Sequence, residues 1–261
     1  MNRAIGFFDS GVGGLTVLKK IKKILPNETC LYFGDTKNMP YGEKTEEQLI
    51  QYADAIFKFF EKQNVKAVVM ACNTTSAITY EKLKDKYNFK IYPIIQTVSE
   101  KLAQEQIGKL GIIATPATVN SHAYSREIKK YNSKKVVVEI PAPNWVRIVE
   151  EHRINDELSL AQVKEVLDDL QLKTCEKIVL ACTHYPYLSD VIKNFMPIEK
   201  FIDPADLFAE SIKKDLEANG LLSNSKQDND KFFVSSNPEN FVCAAATFYQ
   251  LNDIPTLVTL N

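Results

Sequence analysis

The chain has 261 residues, of which 45% are apolar and 25% are charged, and its formal net charge is −1. This is the composition of a globular protein with enough length for one large domain or two smaller ones. The near-neutral charge gives no basis for binding nucleic acid or an anionic membrane surface, and no apolar run is long enough to span a bilayer. The first apolar run, 4–8, is too short for a signal-peptide core, so we expect a cytoplasmic protein.

Strands and helices are predicted to alternate along the whole chain. We predict strands at residues 4–8, 29–33, 66–71, 89–95, 110–114, 135–140, 177–181, 201–203, 232–234 and 257–260. We predict helices at residues 15–25, 44–63, 75–87, 98–106, 119–131, 145–151, 156–172, 187–195, 204–218 and 238–251. Alternation of this kind is typical of α/β proteins with doubly wound parallel sheets.

Two parts of this pattern occur twice. Ile-Gly-Phe-Phe-Asp-Ser at 5–10 resembles Leu-Gly-Ile-Ile-Ala-Thr at 110–115, and each is followed by an apolar run that ends at a cysteine. Gly6 and Gly111 are 105 positions apart, and Cys72 and Cys182 are 110 positions apart. The near-constant offset predicts two similar lobes related by pseudo-two-fold symmetry. Because ligands of such sheets bind beyond the carboxyl ends of the strands, we expect one cleft between the lobes that holds both cysteines.

The cysteines are five in number and have no close pairs: Cys30, Cys72, Cys175, Cys182 and Cys243. An odd number without a signal peptide predicts thiols in a reducing compartment. We expect Cys30, Cys175 and Cys243 to be small core residues. A zinc site is not expected, because only His184 lies near a cysteine and no second pair has ligand spacing.

Two thiols on opposite walls of a cleft have a specific chemical use. A thiol has a pKa near 8.5, so it can act as a base or as an acid. One thiol can remove a proton from a carbon while the other delivers a proton to the opposite face, which inverts a stereocentre. We therefore predict that Cys72 and Cys182 form an acid/base pair.

Polar residues near the two cysteines suit an amino acid as substrate. Asp9 begins a glycine-rich loop that is no Walker A loop, and its carboxylate fits an ammonium group or proton transfer better than a phosphate. An alternative is that Asp9 only caps the following helix. His184 can assist Cys182. The candidate substrate-binding residues are Asp9, Ser10, Tyr41, Gly42, Asn73, Thr74, Thr183 and His184. No lysine is marked out for a Schiff base and no nucleotide-binding loop is found, so we expect no cofactor.

Several stretches together resemble those of bacterial glutamate racemases. They are Phe8-Asp9-Ser10-Gly11-Val12-Gly13-Gly14-Leu15-Thr16-Val17, Gly34-Asp35-Thr36, Pro40-Tyr41-Gly42, Ala71-Cys72-Asn73-Thr74, Thr115-Pro116-Ala117-Thr118-Val119 and Cys182-Thr183-His184-Tyr185-Pro186. The resemblance implies interconversion of L- and D-glutamate without a cofactor, to supply D-glutamate for peptidoglycan. It also implies that Cys72 and Cys182 are the catalytic acid/base residues, that Asp9 and His184 assist them, and that a homodimer forms.

The resemblance further suggests three possible site residues, Glu150, Thr115 and Thr118. It implies a first lobe of residues 1–94 plus 208–261, which carries Cys72, and a second lobe of residues 95–207, which carries Cys182. The chain departs from the family's frequent residues at four positions: Thr75, Ala142, Arg147 and Pro204.

Three alternatives remain open from the residues. One is a racemase or isomerase that acts on aspartate or another smaller acid, since sequence does not reveal the length of the substrate. The second is a binding module of the periplasmic type, which also has two α/β lobes around a cleft. The third is a hydrolase with one cysteine, which would leave the second cysteine unexplained.

Overall fold

The computed structural model describes residues 3–172, 174–225, 228–246 and 249–260. The strands are β1 Ile5–Asp9, β2 Cys30–Gly34, β3 Ala67–Met70, β4 Lys90–Pro93, β5 Lys109–Ala114, β6 Val136–Pro141, β7 Lys177–Ala181, β8 Phe201–Ile202, β9 Lys231–Val234 and β10 Thr256–Leu257. The helices are α1 Leu15–Ile24, α2 Glu46–Lys62, α3 Asn73–Leu83, α4 Ile94–Gln104, α5 Pro116–Asn120, α6 Ala123–Tyr131, α7 Trp145–Glu150, α8 Glu157–Leu172, α9 Ser189–Ile192, α10 Pro204–Ala218 and α11 Pro238–Ala245.

The strands form two parallel sheets, and four strands of the first sheet have the same order as the four strands of the second. The first sheet runs β10-β9-β2-β1-β3-β4, and the second runs β6-β5-β7-β8. The four strands β4-β3-β1-β2 therefore match β8-β7-β5-β6. Gly6 pairs with Val68 in the first sheet, and Gly111 pairs with Ile178 in the second. Each cysteine lies four residues beyond that pairing, so the predicted pair of similar parallel-sheet lobes is confirmed.

The end of the chain adds strands to the first sheet. β9 pairs with β2, and β10 pairs with β9, all in parallel. This agrees with a first lobe built from both ends of the chain. The boundaries at 94/95 and 207/208 stay a prediction, because α10 crosses the second of them and packs against both α1 and α4.

Burial and capping explain why the local sequence forms these elements. All five residues of β1 are buried, as expected for a central parallel strand with helices on both faces. The α2 helix begins with a capping box, in which Thr45 accepts from the Gln48 N–H and Gln48 accepts from the Thr45 N–H. Its buried residues have helical spacing and pack beside the first sheet: Leu49, Ala53, Ile56, Phe57 and Phe60.

Prolines and left-handed residues account for two differences from the predicted elements. The predicted start of α4 at Val98 is wrong, because Pro93 ends β4 and the helix begins at Ile94. Proline lacks an N–H, so it suits a strand end or helix entry better than a strand interior. The predicted helix at 119–131 is two helices, because His122 adopts φ 52° between α5 and α6. A single left-handed residue cannot continue a right-handed helix.

Three further predictions are corrected near the end of the chain. The region 187–195 is a 3₁₀ turn, Tyr185–Leu188, followed by the short α9. The helix predicted at 238–251 is shorter, since α11 ends at Ala245. Cys243 is exposed and is not a core residue, because it lies on the outer side of that short helix. Cys30 and Cys175 are buried as predicted.

Candidate active site

The two cysteines lie at equivalent places in the two lobes. Cys72 joins β3 to α3 as the N-cap residue of the helix, and Cys182 directly follows β7. Both are nearly inaccessible, with 6% and 7% of their surface exposed. They line one narrow cavity of about 80 Å³ between the lobes. The carboxyl ends of the two sheets therefore face each other across a space that suits a small molecule.

Most of the predicted site residues line the same cavity. They are Ser10, Tyr41, Gly42, Cys72, Asn73, Thr74, Thr115, Cys182, Thr183 and His184. Asp9, Thr118 and Glu150 lie behind this lining and contact it through hydrogen bonds. Sequence reasoning missed the residues that complete the wall, which are Met39, Pro40, Glu43, Pro116, Pro143, Val146 and Arg147. Pro40 and Pro116 stand inside the quoted motifs, and Arg147 is one of the noted departures. For the other four the only signal was position, because they lie close to the motifs in the sequence.

Asp9 is a fully buried carboxyl group behind the cavity lining. It accepts hydrogen bonds from the Gly11 N–H at 3.1 Å and from the Thr183 hydroxyl at 3.2 Å. Burial raises its pKa from 3.8 to about 6, although the His184 charge and these donors partly offset the rise. Asp9 does not cap α1, whose N-cap residue is Gly14. Its carboxylate meets the cavity lining through the Thr183 hydroxyl.

The surroundings of Cys72 favour its neutral thiol. Burial raises its pKa from 9.0 to about 12, and the nearby negative charge of Asp9 adds to the rise. The polar groups of nearby Thr75 partly counter this effect by favouring the thiolate. A cation placed beside Asp9 would cancel the repulsion between the carboxylate and the thiolate. A bound ammonium group would therefore favour ionisation of Cys72.

Cys182 lies beside the His184 imidazole, whereas Cys72 lies near the Asp9 carboxylate. The Cys182 Sγ lies 3.8 Å from the His184 Nδ1, and the His184 Nε2 lies 2.5 Å from a Glu150 carboxylate oxygen. Burial alone lowers the pKa of His184, but its hydrogen bonds to Cys182 and Glu150 raise the pKa well above its ordinary value. The imidazolium form of His184 is therefore favoured, and it lies between the Glu150 carboxylate and the Cys182 sulfur.

Three threonine hydroxyls form a cluster across the two lobes. Thr74 opens α3, whereas Thr115 and Thr118 follow β5 of the second sheet. The Thr74 and Thr115 hydroxyls are 2.9 Å apart, and those of Thr115 and Thr118 are 3.0 Å apart. Because a hydroxyl can rotate to donate, this cluster can direct hydrogen bonds towards a carboxylate in the cavity.

Asn73 presents a buried donor to the same cavity. Its Oδ1 accepts a hydrogen bond of 2.7 Å from the Tyr124 hydroxyl. Its Nδ2 is buried and has no hydrogen-bond partner among the described residues. A buried donor without a partner costs about 1–3 kcal/mol unless a ligand completes it. The amide nitrogen is thus suited to bind an acceptor such as a carboxylate.

Tyr41 lines the cavity. Its hydroxyl forms a hydrogen bond with another protein side chain. The hydroxyl donates to Asp35 at 2.5 Å, and Asp35 also accepts from Asn38 and Ser235. Tyr41 and Gly42 begin a 3₁₀ turn, Tyr41–Glu43, whose first N–H groups have no partner within the turn.

An ion pair joins the lobes at the cavity wall. Arg147 Nη2 lies 2.5 Å from Glu43 Oε1, and both side chains are about half exposed. Such an exposed pair contributes about 1 kcal/mol or less to stability. Arg147 is one of the departures noted from the sequence, and it places a positive charge beside the cavity.

The described part of the chain contains no group of three or more His, Cys, Asp or Glu side chains that could hold a metal ion. Within those same residues, no helix has the length and apolar character needed to cross a membrane.

Comparison with known proteins identifies the family. The model of the Asp/Glu/Hydantoin racemase family matches residues 5–212. The chain belongs to this family. It is 39% identical to glutamate racemase 2 of Caldanaerobacter subterraneus subsp. tengcongensis, with 94% of this chain and 92% of the relative covered. The glutamate racemase of Trichodesmium erythraeum is 37% identical, with 92% of this chain and 88% of the relative covered.

Solved structures of other proteins share the fold of this chain. The glutamate racemase of Francisella tularensis, solved in complex with D-glutamate, superposes with a TM-score of 0.90 at 32% identity and covers 100% of this chain and 98% of its own. The aspartate racemase of Picrophilus torridus superposes with a TM-score of 0.61 at 18% identity, covering 85% of this chain and 99% of its own. The second likeness concerns the fold alone.

Proposed function

We propose that the chain is a glutamate racemase that needs no cofactor and uses Cys72 and Cys182 as its two acid/base groups. The observation that carries the proposal is the placement of two buried thiols at equivalent strand ends of two matching lobes, on one small cavity. A binding module would not require thiols at both positions, and a hydrolase with one nucleophile would not require the second.

The reaction follows from this placement. The thiolate on one side takes the α-proton of the amino acid, and the electron pair of the broken C–H bond remains on the α-carbon. The thiol on the other side then gives its proton to the opposite face of that carbon. The enantiomer forms, and the two sulfur atoms have exchanged their protonation states, so the reverse reaction uses the same pair.

Charged and polar groups around the thiols bind the substrate in this proposal. Asp9 pairs with the α-ammonium group and thereby reduces its own repulsion of the Cys72 thiolate. Asn73 Nδ2 and the threonine cluster bind carboxylate oxygens. A narrow cavity excludes water, which strengthens these interactions as negative charge develops beside the α-carbon.

Glutamate is the substrate that the comparisons favour. The relatives at 37–39% identity over more than nine-tenths of the chain are named glutamate racemases, whereas the aspartate racemase shares only the fold. D-glutamate made in this way would serve peptidoglycan synthesis, and a homodimer in the cytoplasm is the assembly that we expect.

The substrate assignment can be tested by circular dichroism with separate solutions of L-glutamate, D-glutamate, L-aspartate and D-aspartate. Each glutamate enantiomer is expected to lose its optical activity and reach the racemic mixture without any added cofactor, because the two thiols work in both directions. Aspartate is expected to react far more slowly. Racemisation of aspartate with stable glutamate signals would contradict the assignment.

The ionisation of Asp9 predicts an acidic limb in the pH profile. Since burial raises the Asp9 pKa from 3.8 to about 6, the carboxyl is ionised above pH 6 and protonated below it. We expect kcat/KM to fall as the pH is lowered through about 6, because a neutral Asp9 no longer binds the ammonium group. Asp9→Asn should reduce kcat/KM about 10²-fold and remove this limb. An unchanged limb in the variant would show that another group titrates.

A further inference from the structure

The Asn73 amide has two chemically opposite ends, and only one of them can bind a carboxylate. The nitrogen donates hydrogen bonds, and the oxygen accepts them. Asn73 lies at the first position of α3, directly after Cys72, and it is 2% exposed. Whichever end faces the cavity is therefore in direct contact with a bound substrate. A fixed orientation of this amide is a requirement for binding the anion.

Tyr124 is the residue that determines the orientation. It is fully buried on α6, and its hydroxyl donates to the Asn73 Oδ1 at 2.7 Å. This contact occupies the oxygen and leaves Nδ2 as the buried donor without a partner in the described chain. If the amide turned over, its oxygen would face the substrate carboxylate. The Tyr124 hydroxyl would then accept from Nδ2, and its own buried proton would lose the acceptor that Oδ1 now provides.

The Tyr124 hydroxyl remains a donor under all working conditions. Burial raises the pKa of the phenol well above its ordinary value of 10.0, and the negative charges of Cys182 and two carboxylates act in the same direction. The hydroxyl therefore keeps its proton when the thiols change their protonation state. A donor that never ionises is suited to hold the amide throughout the reaction.

We propose that Tyr124 is a positioning residue for substrate binding, which acts across the lobes by holding the Asn73 amide with its nitrogen towards the substrate carboxylate. The proposal rests on the proposed racemase function. Because Tyr124 follows β5 of the second sheet and Asn73 follows β3 of the first, the hydrogen bond also makes the correct amide orientation depend on the lobes being together.

The test is a double-mutant cycle that measures KM and kcat for each glutamate enantiomer by circular dichroism. Tyr124→Phe keeps the ring and removes the hydroxyl, so we expect KM to rise about tenfold in both directions with kcat changed less than twofold. In the Asn73→Ala background, the same change should alter KM by less than twofold, because there is no amide left to orient.

A matched control separates positioning from a loss of stability. Tyr92→Phe also removes a buried tyrosine hydroxyl, which donates to Asp215 at 2.6 Å and does not line the cavity. This variant should keep the KM of the unmodified enzyme. A second variant, Asn73→Asp, keeps the acceptor for Tyr124 but presents oxygen in place of nitrogen, and its KM should rise at least as much as that of Asn73→Ala.

The outcomes are distinguishable from a failure of the proposed function. If the unmodified chain does not racemise glutamate, the proposed function is wrong. That result is seen with the unmodified chain alone, before any variant is compared. If the unmodified chain is active, an unchanged KM in Tyr124→Phe would overturn the role of Tyr124. An equal rise of KM in both backgrounds would also overturn it, because Tyr124 would then act without Asn73. A normal KM in Asn73→Asp would contradict the orientation of the amide.

Discussion

Replacing either Cys72 or Cys182 with alanine is expected to reduce racemisation by about 10³-fold or more in both directions. In the proposed mechanism each thiol serves as the base for one enantiomer and as the acid for the other, so neither direction can proceed without both. The rate of loss of the circular dichroism signal, starting from each pure enantiomer, measures the effect. The cavity itself should persist, because a cysteine and an alanine differ by one sulfur atom.

Cys175→Ala is the matched control for this experiment. Cys175 is also a buried cysteine of the second lobe, with 3% of its surface exposed, but it packs beneath Gly111 and not on the cavity. Its replacement should leave the rates within about twofold. Full turnover in either Cys72→Ala or Cys182→Ala would show that one thiol suffices and would exclude the two-base mechanism.

Gly13→Ala is expected to reduce kcat/KM about 10²-fold without removing any polar group from the site. Gly13 lies in the loop after β1, and a Cβ atom there would come within 2.4 Å of the Thr183 hydroxyl and 2.7 Å of the His184 Nδ1. These are contacts between the two lobes, so the methyl group must displace Thr183 and His184 from their partners. A displacement of about 1 Å at a catalytic group is enough to cause a loss of this size.

The control for Gly13 is Gly108, where the neighbouring side chain is flexible and can move away from an added methyl group. At Gly108, the nearest atom to an added Cβ is the carboxylate end of Glu176, at 3.0 Å, on the exposed far side of the second sheet. Gly108→Ala should therefore keep normal kinetics. If Gly13→Ala has normal activity and an unchanged melting temperature, the lobes do not meet at this loop as closely as the structure indicates.

The repeat in the sequence predicted the architecture because strand register preserves spacing. Gly6 pairs with Val68 and Gly111 with Ile178, and both cysteines follow at the same distance. Parallel strands bring their carboxyl ends to one edge, so the chain order alone was enough to place Cys72 and Cys182 in comparable positions. The element boundaries were less predictable, since Pro93 and His122 act through backbone geometry that apolar periodicity does not reveal.

The contacts between the lobes could not be read from the sequence. Tyr124 and Asn73 are 51 positions apart and belong to different sheets, and nothing in the local pattern around Tyr124 separates it from an ordinary core tyrosine. The Arg147–Glu43 pair spans 104 positions in the same way. Such contacts depend on how two folded units meet, which is decided by the packing of whole surfaces and not by local propensity.

In the proposed mechanism, protons leave and arrive on opposite faces of the α-carbon through different thiols. The position of solvent deuterium in early turnover of the unmodified enzyme, starting from L-glutamate in deuterated water, distinguishes this from a single base. We expect the D-glutamate product to carry deuterium at the α-carbon while the remaining L-glutamate stays unlabelled. D-glutamate that retains the original proton, or equal early labelling of both enantiomers, would indicate a single base and exclude the two-thiol mechanism.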